Sequence, residues 1–345
     1  MPRNAHLVGS VGLADADTVF RTVSETLGDH CPRIPDGETG RRGYWIRWQM
    51  ASFENSAAFV NKEVSEAREG FKDDLKRAFY SLDPSVNPST FEMAPLGYAD
   101  EALNSWQTFA ALQAAGDIGP EVRFQVSLPT PIALVQSFVR MEDRLAAEPI
   151  IERAMLRDLY AILEGIPHDK LCIQWDVCFE VLGADGGPPL PYADPVGGSI
   201  DRVVRLCAKV GPDAECGIHL CYGDPGHKHV VEPPDLAVSL AFSNGISQNA
   251  AALGRALTFI HMPVPRDRHD DAYVAPLRGL AMADDTRLVL GLIHLTDGEE
   301  GTRRRMATAD GVLTDYDVAT ECGFGRRDPA TIPELLQLHR TVCER

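Results

Sequence analysis

The chain has 345 residues, 44% of them hydrophobic and 24% charged, with a formal net charge of −17 spread along its length. That length suits either two average domains or one large α/β barrel, and the dispersed acidity argues against nonspecific binding to nucleic acid. No apolar run approaches the roughly 20 residues of a membrane span, and residues 1–4 lead into a strand and not a signal peptide, so a cytoplasmic chain with no membrane partner is expected.

In chain order, residues 5–12 (AHLVGSVG) form a β-rich run ending in small residues, and 15–27 have an acidic start and helical apolar spacing. Residues 31–35 are a second short strand that closes on the charged turn Asp36-Gly37-Glu38-Thr39-Gly40-Arg41-Arg42. The polar stretch 44–88 reads as helical, with Trp45 and Trp48 near its start, and is expected as a helical insertion after the second strand. Residues 91–98 read as extended, and 101–115 as a helix.

From there the alternation is regular. Strands are expected at 122–128, 170–177, 214–221, 258–264, 287–295 and 316–322, and helices at 151–166, 200–209, 235–257, 273–281, 299–309 and 332–343. Eight near-continuous apolar strands interleaved with helices are what a parallel sheet buried on both faces requires, so the expected fold is α/β, a single (β/α)8 TIM barrel spanning residues 1–345. No Gly-x-Gly-x-x-Gly follows the first strand, which argues against a dinucleotide-binding sheet.

In such a barrel the C-terminal strand ends share one mouth, where active sites are built. The polar residues placed there are Ser10, Asp36, Glu38, Gln125, Ser127, Gln174, Asp176, His219, Cys221, His261, His294, Glu321 and Cys322. Each has an ordinary reading as a satisfied core group or turn former; together they are too many for packing.

Eight cysteines in a chain of this size read as thiols and not a disulfide framework, with Cys172, Cys207, Cys216 and Cys343 assigned to packing. Cys221 is different. In Gly217-Ile218-His219-Leu220-Cys221-Tyr222 the imidazole and thiol lie two apart on a strand and face the same way. With His261 and Cys322 at later strand ends they make a nitrogen and sulfur donor set that fits zinc best, dispersed as in a site at an active mouth. For the His219/Cys221 pair alone, a buried histidine beside an inert thiol is an equal reading.

At this point the residues resemble the catalytic C-terminal barrel of cobalamin-independent methionine synthase, within the wider uroporphyrinogen-decarboxylase-like group. Leu7-Val8-Gly9-Ser10 is similar to the family's opening strand, Ile173-Gln174-Trp175-Asp176 to its Gln-x-Asp strand, His219-Leu220-Cys221 to its His-x-Cys zinc motif, and Glu321-Cys322-Gly323-Phe324 to its acidic-Cys-Gly-Leu motif. The resemblance implies Zn²⁺-dependent alkyl transfer to a thiol, with small-molecule partners: a thiol acceptor and a methyl donor such as a folate.

Under that reading His219, Cys221, His261 and Cys322 are the metal ligands, and Asp176 and Glu38 orient substrate while His294 assists proton transfer. Ser10, Asp36, Arg41, Gln125, Gln174 and Trp175 are the expected substrate contacts. Three departures stand out. His261 replaces the family's glutamate ligand, Val177-Cys178-Phe179 replaces its Asp-Glu-Pro, and the family's large N-terminal half has no counterpart. Two alternatives stay open: a zinc-dependent lyase cleaving a C–C or C–S bond of a small substrate, aromatic or not, and a non-catalytic ligand-binding barrel. A homodimer is a further open expectation.

Overall fold

A computed structural model describes residues 3–64, 78–223 and 229–344. Strand β1 (Ala5–His6) leads to helix α1 (Ala16–Leu27), capped by the Asp15 side chain on the Thr18 amide, and then to β2 (Arg33–Pro35). The insertion that follows is not the helical segment expected for 44–88. It holds 3₁₀ turns, one short helix α2 (Met50–Glu54), and the antiparallel hairpin β3 (Phe59–Val64) with β4 (Ala78–Leu82). Residues 65–77 of that stretch lie outside the described residues. The misreading has a physical cause: β3 is exposed along Asn61–Val64, so its polar side chains carry no alternation of buried and solvated faces.

The chain continues through α3 (Tyr98–Ala115), β5 (Arg123–Pro129), α4 (Pro131–Phe138), α5 (Arg144–Gly165), β6 (Leu171–Val177), α6 (Phe179–Ala184) and α7 (Gly197–Cys207). Next come β7 (Glu215–Leu220), α8 (Ala237–Ala252), β8 (Phe259–Pro263), α9 (Asp271–Val274), β9 (Arg287–Ile293), α10 (Gly298–Asp310), β10 (Asp317–Thr320) and α11 (Ile332–Cys343). Helix α4 is started by Thr130, whose hydroxyl accepts from the Ala133 amide, with Pro131 in the first turn. Helix α5 begins before the expected residue 151 because it tolerates Pro149 inside it.

Eight strands form one parallel sheet in the order β1-β10-β9-β8-β7-β6-β5-β2, the arrangement of a (β/α)8 barrel. The seam between β1 and β2 is narrowed by the Val11 amide on the Gly37 carbonyl, 2.9 Å. Inside the barrel Cys172, Phe259, Val289 and Ala319 form an apolar floor. Gly217 makes that floor possible, since a Cβ there would lie 2.1 Å from the Phe259 ring. Above this floor the inward residues turn polar, and strand register lines them up: Asp176 pairs with His219, and His219 with His261. No helix among the described residues is long and apolar enough to cross a membrane.

Candidate metal centre and the adjoining carboxylates

His219 is carried by β7, Cys221 is the first residue after that strand, and Cys322 lies on the loop that leaves β10. Cys322 Sγ stands 3.9 Å from Cys221 Sγ and 3.9 Å from His219 Nε2. All three donor atoms lie within 4.8 Å of one another, and this trio can hold a metal ion. Two thiolates about 2.3 Å from a tetrahedral zinc stand roughly 3.8 Å apart, so the sulfur spacing matches that edge; a disulfide would need about 2.05 Å. The loop is built for this approach, because a side chain at Gly323 would strike Ser10 Oγ at 2.4 Å.

The protonation states suit a cation. The neighbouring Cys178 thiol and burial hold the Cys221 thiol well above its ordinary range, against the lowering contact with Cys322, so its ionisation calls for a nearby positive charge. Burial, with His261 beside it, holds His219 neutral and a lone-pair donor. The Gly223 amide donates to Cys221 Sγ at 3.3 Å, a contact that favours thiolate. His261 is not among the clustered donors: its Nδ1 meets His219 Nδ1 at 2.8 Å and its Nε2 meets the Thr320 carbonyl at 3.0 Å.

One strand away lies a carboxylate pair. Gln174 Nε2 donates to Asp176 Oδ1 at 2.9 Å and the Trp45 indole N–H to Oδ2 at 3.2 Å. Burial raises the Asp176 carboxyl, and burial together with the Asp176 charge raises Glu38, so the two retain a proton near neutral pH. Glu38 and Trp45 are two of the three non-glycine described residues with positive φ, +48° and +52°. Strain of this kind, of order 1–3 kcal/mol each, collects where function holds a side chain in place. The indole also lies nearly parallel to the Phe179 ring, 14° between planes and 6.2 Å between centroids. Gly9 leaves room for Glu38, whose Oε1 would be 3.1 Å from a Cβ there.

Other expected site residues are placed differently. Asp36 is consumed by the turn itself, holding Arg42 at 2.7 Å, Ser105 Oγ at 2.7 Å and the Glu38 amide at 3.0 Å. Arg41 points outward, 61% exposed on Glu101 and Trp48, while Arg42 is the inward arginine. Ser10 braces the Cys322 loop through the Gly325 amide, 3.2 Å. Gln125 and Gln174 both donate to β1-side carbonyls, Leu7 at 2.9 Å and Val8 at 2.5 Å. Trp175 is fully buried on the opposite face of β6 from Gln174 and Asp176, in the layer beneath the helices.

His294 sits at the edge of a cavity of about 260 Å³ that also touches Cys322. Its Nε2 meets the Val264 carbonyl at 2.9 Å, its Nδ1 faces Glu321 Oε2 at 3.9 Å, and burial lowers its basicity. Glu321, one of the polar residues expected at the mouth but given no role there, is a hub. It accepts from Tyr222 and pairs with His229 Nε2 at 2.8 Å. His229 had no local signal, since it lies in the loop after β7 and reaches the mouth only through the fold.

A scan against protein-family models gives no match, and a search of curated proteins gives no significant one. Solved structures do match. A B12-independent methionine synthase from Shewanella sp. W3-18-1, in complex with selenomethionine, aligns at TM-score 0.61 and 11% identity over 100% of this chain and 97% of its own. A methyltransferase from Methanosarcina mazei aligns at 0.59 and 11% identity, covering 100% and 95%. A putative vitamin-B12 independent methionine synthase from Listeria monocytogenes aligns at 0.52 and 12% identity, covering 95% and 86%. At such identities the likeness is one of fold, and it runs the length of the chain.

Proposed function

We propose that this chain is a zinc-dependent methyltransferase of the B12-independent methionine-synthase type, acting on a small thiol that also carries an ammonium group. The observation that carries the proposal is the approach of one imidazole nitrogen and two cysteine sulfurs within 4.8 Å at the barrel mouth. The fold likeness to a methionine synthase and to a methyltransferase supports the same reading.

His219, Cys221 and Cys322 are the residues that would hold zinc. Bound there, the ion supplies a Lewis acid that keeps an incoming thiol deprotonated, and therefore nucleophilic, near neutral pH. Three protein ligands leave the open position that catalytic zinc sites keep. Asp176 lies in register with His219 on the neighbouring strand, roughly 4.8 Å away in backbone spacing, so the Glu38 and Asp176 carboxylates can hold an ammonium a few bonds from the reacting sulfur. Trp45 covers Asp176 and keeps water from it. His294, at the cavity beside Cys322, carries its proton on Nε2 against the Val264 carbonyl and so offers Nδ1 to take up the proton the incoming thiol sheds and pass it to the group that leaves when the methyl goes to sulfur. The donor is expected in that cavity, and a methyl-folate is the first to try.

The test is elemental analysis of the purified protein, followed by a screen of aminothiol acceptors with methyl donors, with and without folate. About one zinc per chain together with methylation of a thiol is the expected result. Bound zinc with no thiol methylated would sink the transferase reading, and protein that takes up no zinc would sink the site.

A further inference from the structure

The two imidazoles behind the sulfurs are joined through like nitrogens, His219 Nδ1 to His261 Nδ1, at 2.8 Å. A contact of that length between two neutral rings holds one proton, so one ring donates and the other accepts. The second contact of His261 decides which. Its Nε2 lies 3.0 Å from the Thr320 carbonyl, which only accepts, so the ring carries its proton on Nε2. His261 Nδ1 is then the acceptor and His219 is the donor at Nδ1. His219 Nε2 is left as a bare lone pair, and it is this nitrogen that lies 3.9 Å from Cys322 Sγ.

The seat of His261 admits little else. The ring is completely buried, and a Cβ at Gly291 would meet its Nε2 at 3.0 Å and the Thr320 carbonyl at 3.0 Å. Glycine at 291 thus lets β9 pass close enough for the ring to reach β10. To offer a nitrogen to a metal, His261 would have to give up His219 or Thr320.

We propose that His261 is a positioning residue and not a ligand: it accepts the Nδ1 proton of His219, fixes that ring's tautomer, and aims its Nε2 at the two sulfurs. Among the described residues the metal then takes three side-chain ligands. The inference rests on reading His219, Cys221 and Cys322 as the metal site. Through Thr320, two residues before Cys322, the same ring ties the strand bearing one ligand to the strand bearing another.

Two measurements test it. In metal-free protein labelled with ¹⁵N-histidine, long-range ¹H–¹⁵N spectra are expected to show His219 protonated at Nδ1 and His261 at Nε2; the reverse tautomers would overturn the proposal. In the second, Co²⁺ is titrated against a competing chelator into wild type, His261→Asn and His261→Leu. An asparagine oxygen can take the place of the Nδ1 acceptor, whereas leucine cannot. The leucine variant is expected to bind Co²⁺ about 10–100-fold more weakly, and the asparagine variant within a few-fold of wild type, both with the wild-type ligand-field bands. Loss of binding in both as complete as in Cys221→Ser, altered bands, or unchanged affinity in both would each overturn it. Should the leucine variant fail to fold, the asparagine variant and the tautomers decide. Wild type that binds no Co²⁺ would sink the metal site itself, an outcome distinct from the others.

Discussion

Replacing Cys221 or Cys322 by serine removes one of three donors, and the consequence can be worked out as a melting shift. A ligand present at 1,000 times its dissociation constant stabilises the native state by about 4.1 kcal/mol. Unfolding entropy of about 2.1 cal/mol/K per residue, taken over 345 residues, comes to about 0.7 kcal/mol/K, so saturating zinc raises Tm by about 6 °C. Zinc-peptide affinities of about 10–16 kcal/mol shared among four ligands put one donor at roughly 3–4 kcal/mol, or a factor of about 10²–10³. At the same free zinc the shift in either serine variant falls to about 1–2 °C. The assay is differential scanning calorimetry of chelator-treated protein in a zinc buffer. Cys343→Ala is the control, since that thiol is buried on α11 away from the trio; its baseline Tm falls but its zinc shift stays near 6 °C. A full shift in both serine variants would refute the site.

Four further predictions concern the carboxylates and the barrel floor. Burial raises both Glu38 and Asp176, and a bound ammonium favours their ionised forms, so aminothiol binding should release protons and tighten as pH rises through neutrality; calorimetry in buffers of different ionisation enthalpy reads the release, and pH-independent binding would contradict the assignment. The same raised acids bind protons more tightly folded than unfolded, so their contribution to stability declines from the ordinary carboxylate range upward, and Glu38→Gln should flatten that decline in urea melts. Trp45→Phe keeps a ring against Phe179 but removes the N–H on Asp176, so the Asp176 carboxyl rises further and the pH profile of binding moves to higher pH; an unmoved profile would count against the contact. Gly217→Ala forces a Cβ to 2.1 Å from the enclosed Phe259 ring and should cost about 1–3 kcal/mol in denaturant unfolding; an unchanged midpoint would refute the tight floor.

The barrel was legible in the sequence because a strand buried on both faces must be apolar nearly throughout, and eight such runs recur between helical segments. The spacing of His219 and Cys221 was legible for a similar reason: period-two alternation puts both on one face. The hairpin β3–β4 was not, because an exposed ribbon carries little apolar pattern. Nor was the choice between Arg41 and Arg42, which depends on how a 3₁₀ turn at residues 40–42 rotates adjacent side chains.

Alternation also states which face a side chain takes and nothing about what it meets there. It put His261 on the inward face, and register with β7 then placed it against His219, while Gly291 on the far side let it reach Thr320. A one-residue offset along β6 sends Trp175 to the opposite face from Gln174 and Asp176. The sequence by itself determined the elements, their order and the side chains facing the barrel axis, since these follow from local period and propensity. Tertiary structure alone decided which nitrogens and sulfurs converge, because that depends on the register of non-adjacent strands and on the closure of the sheet, to which residues far apart in the chain contribute.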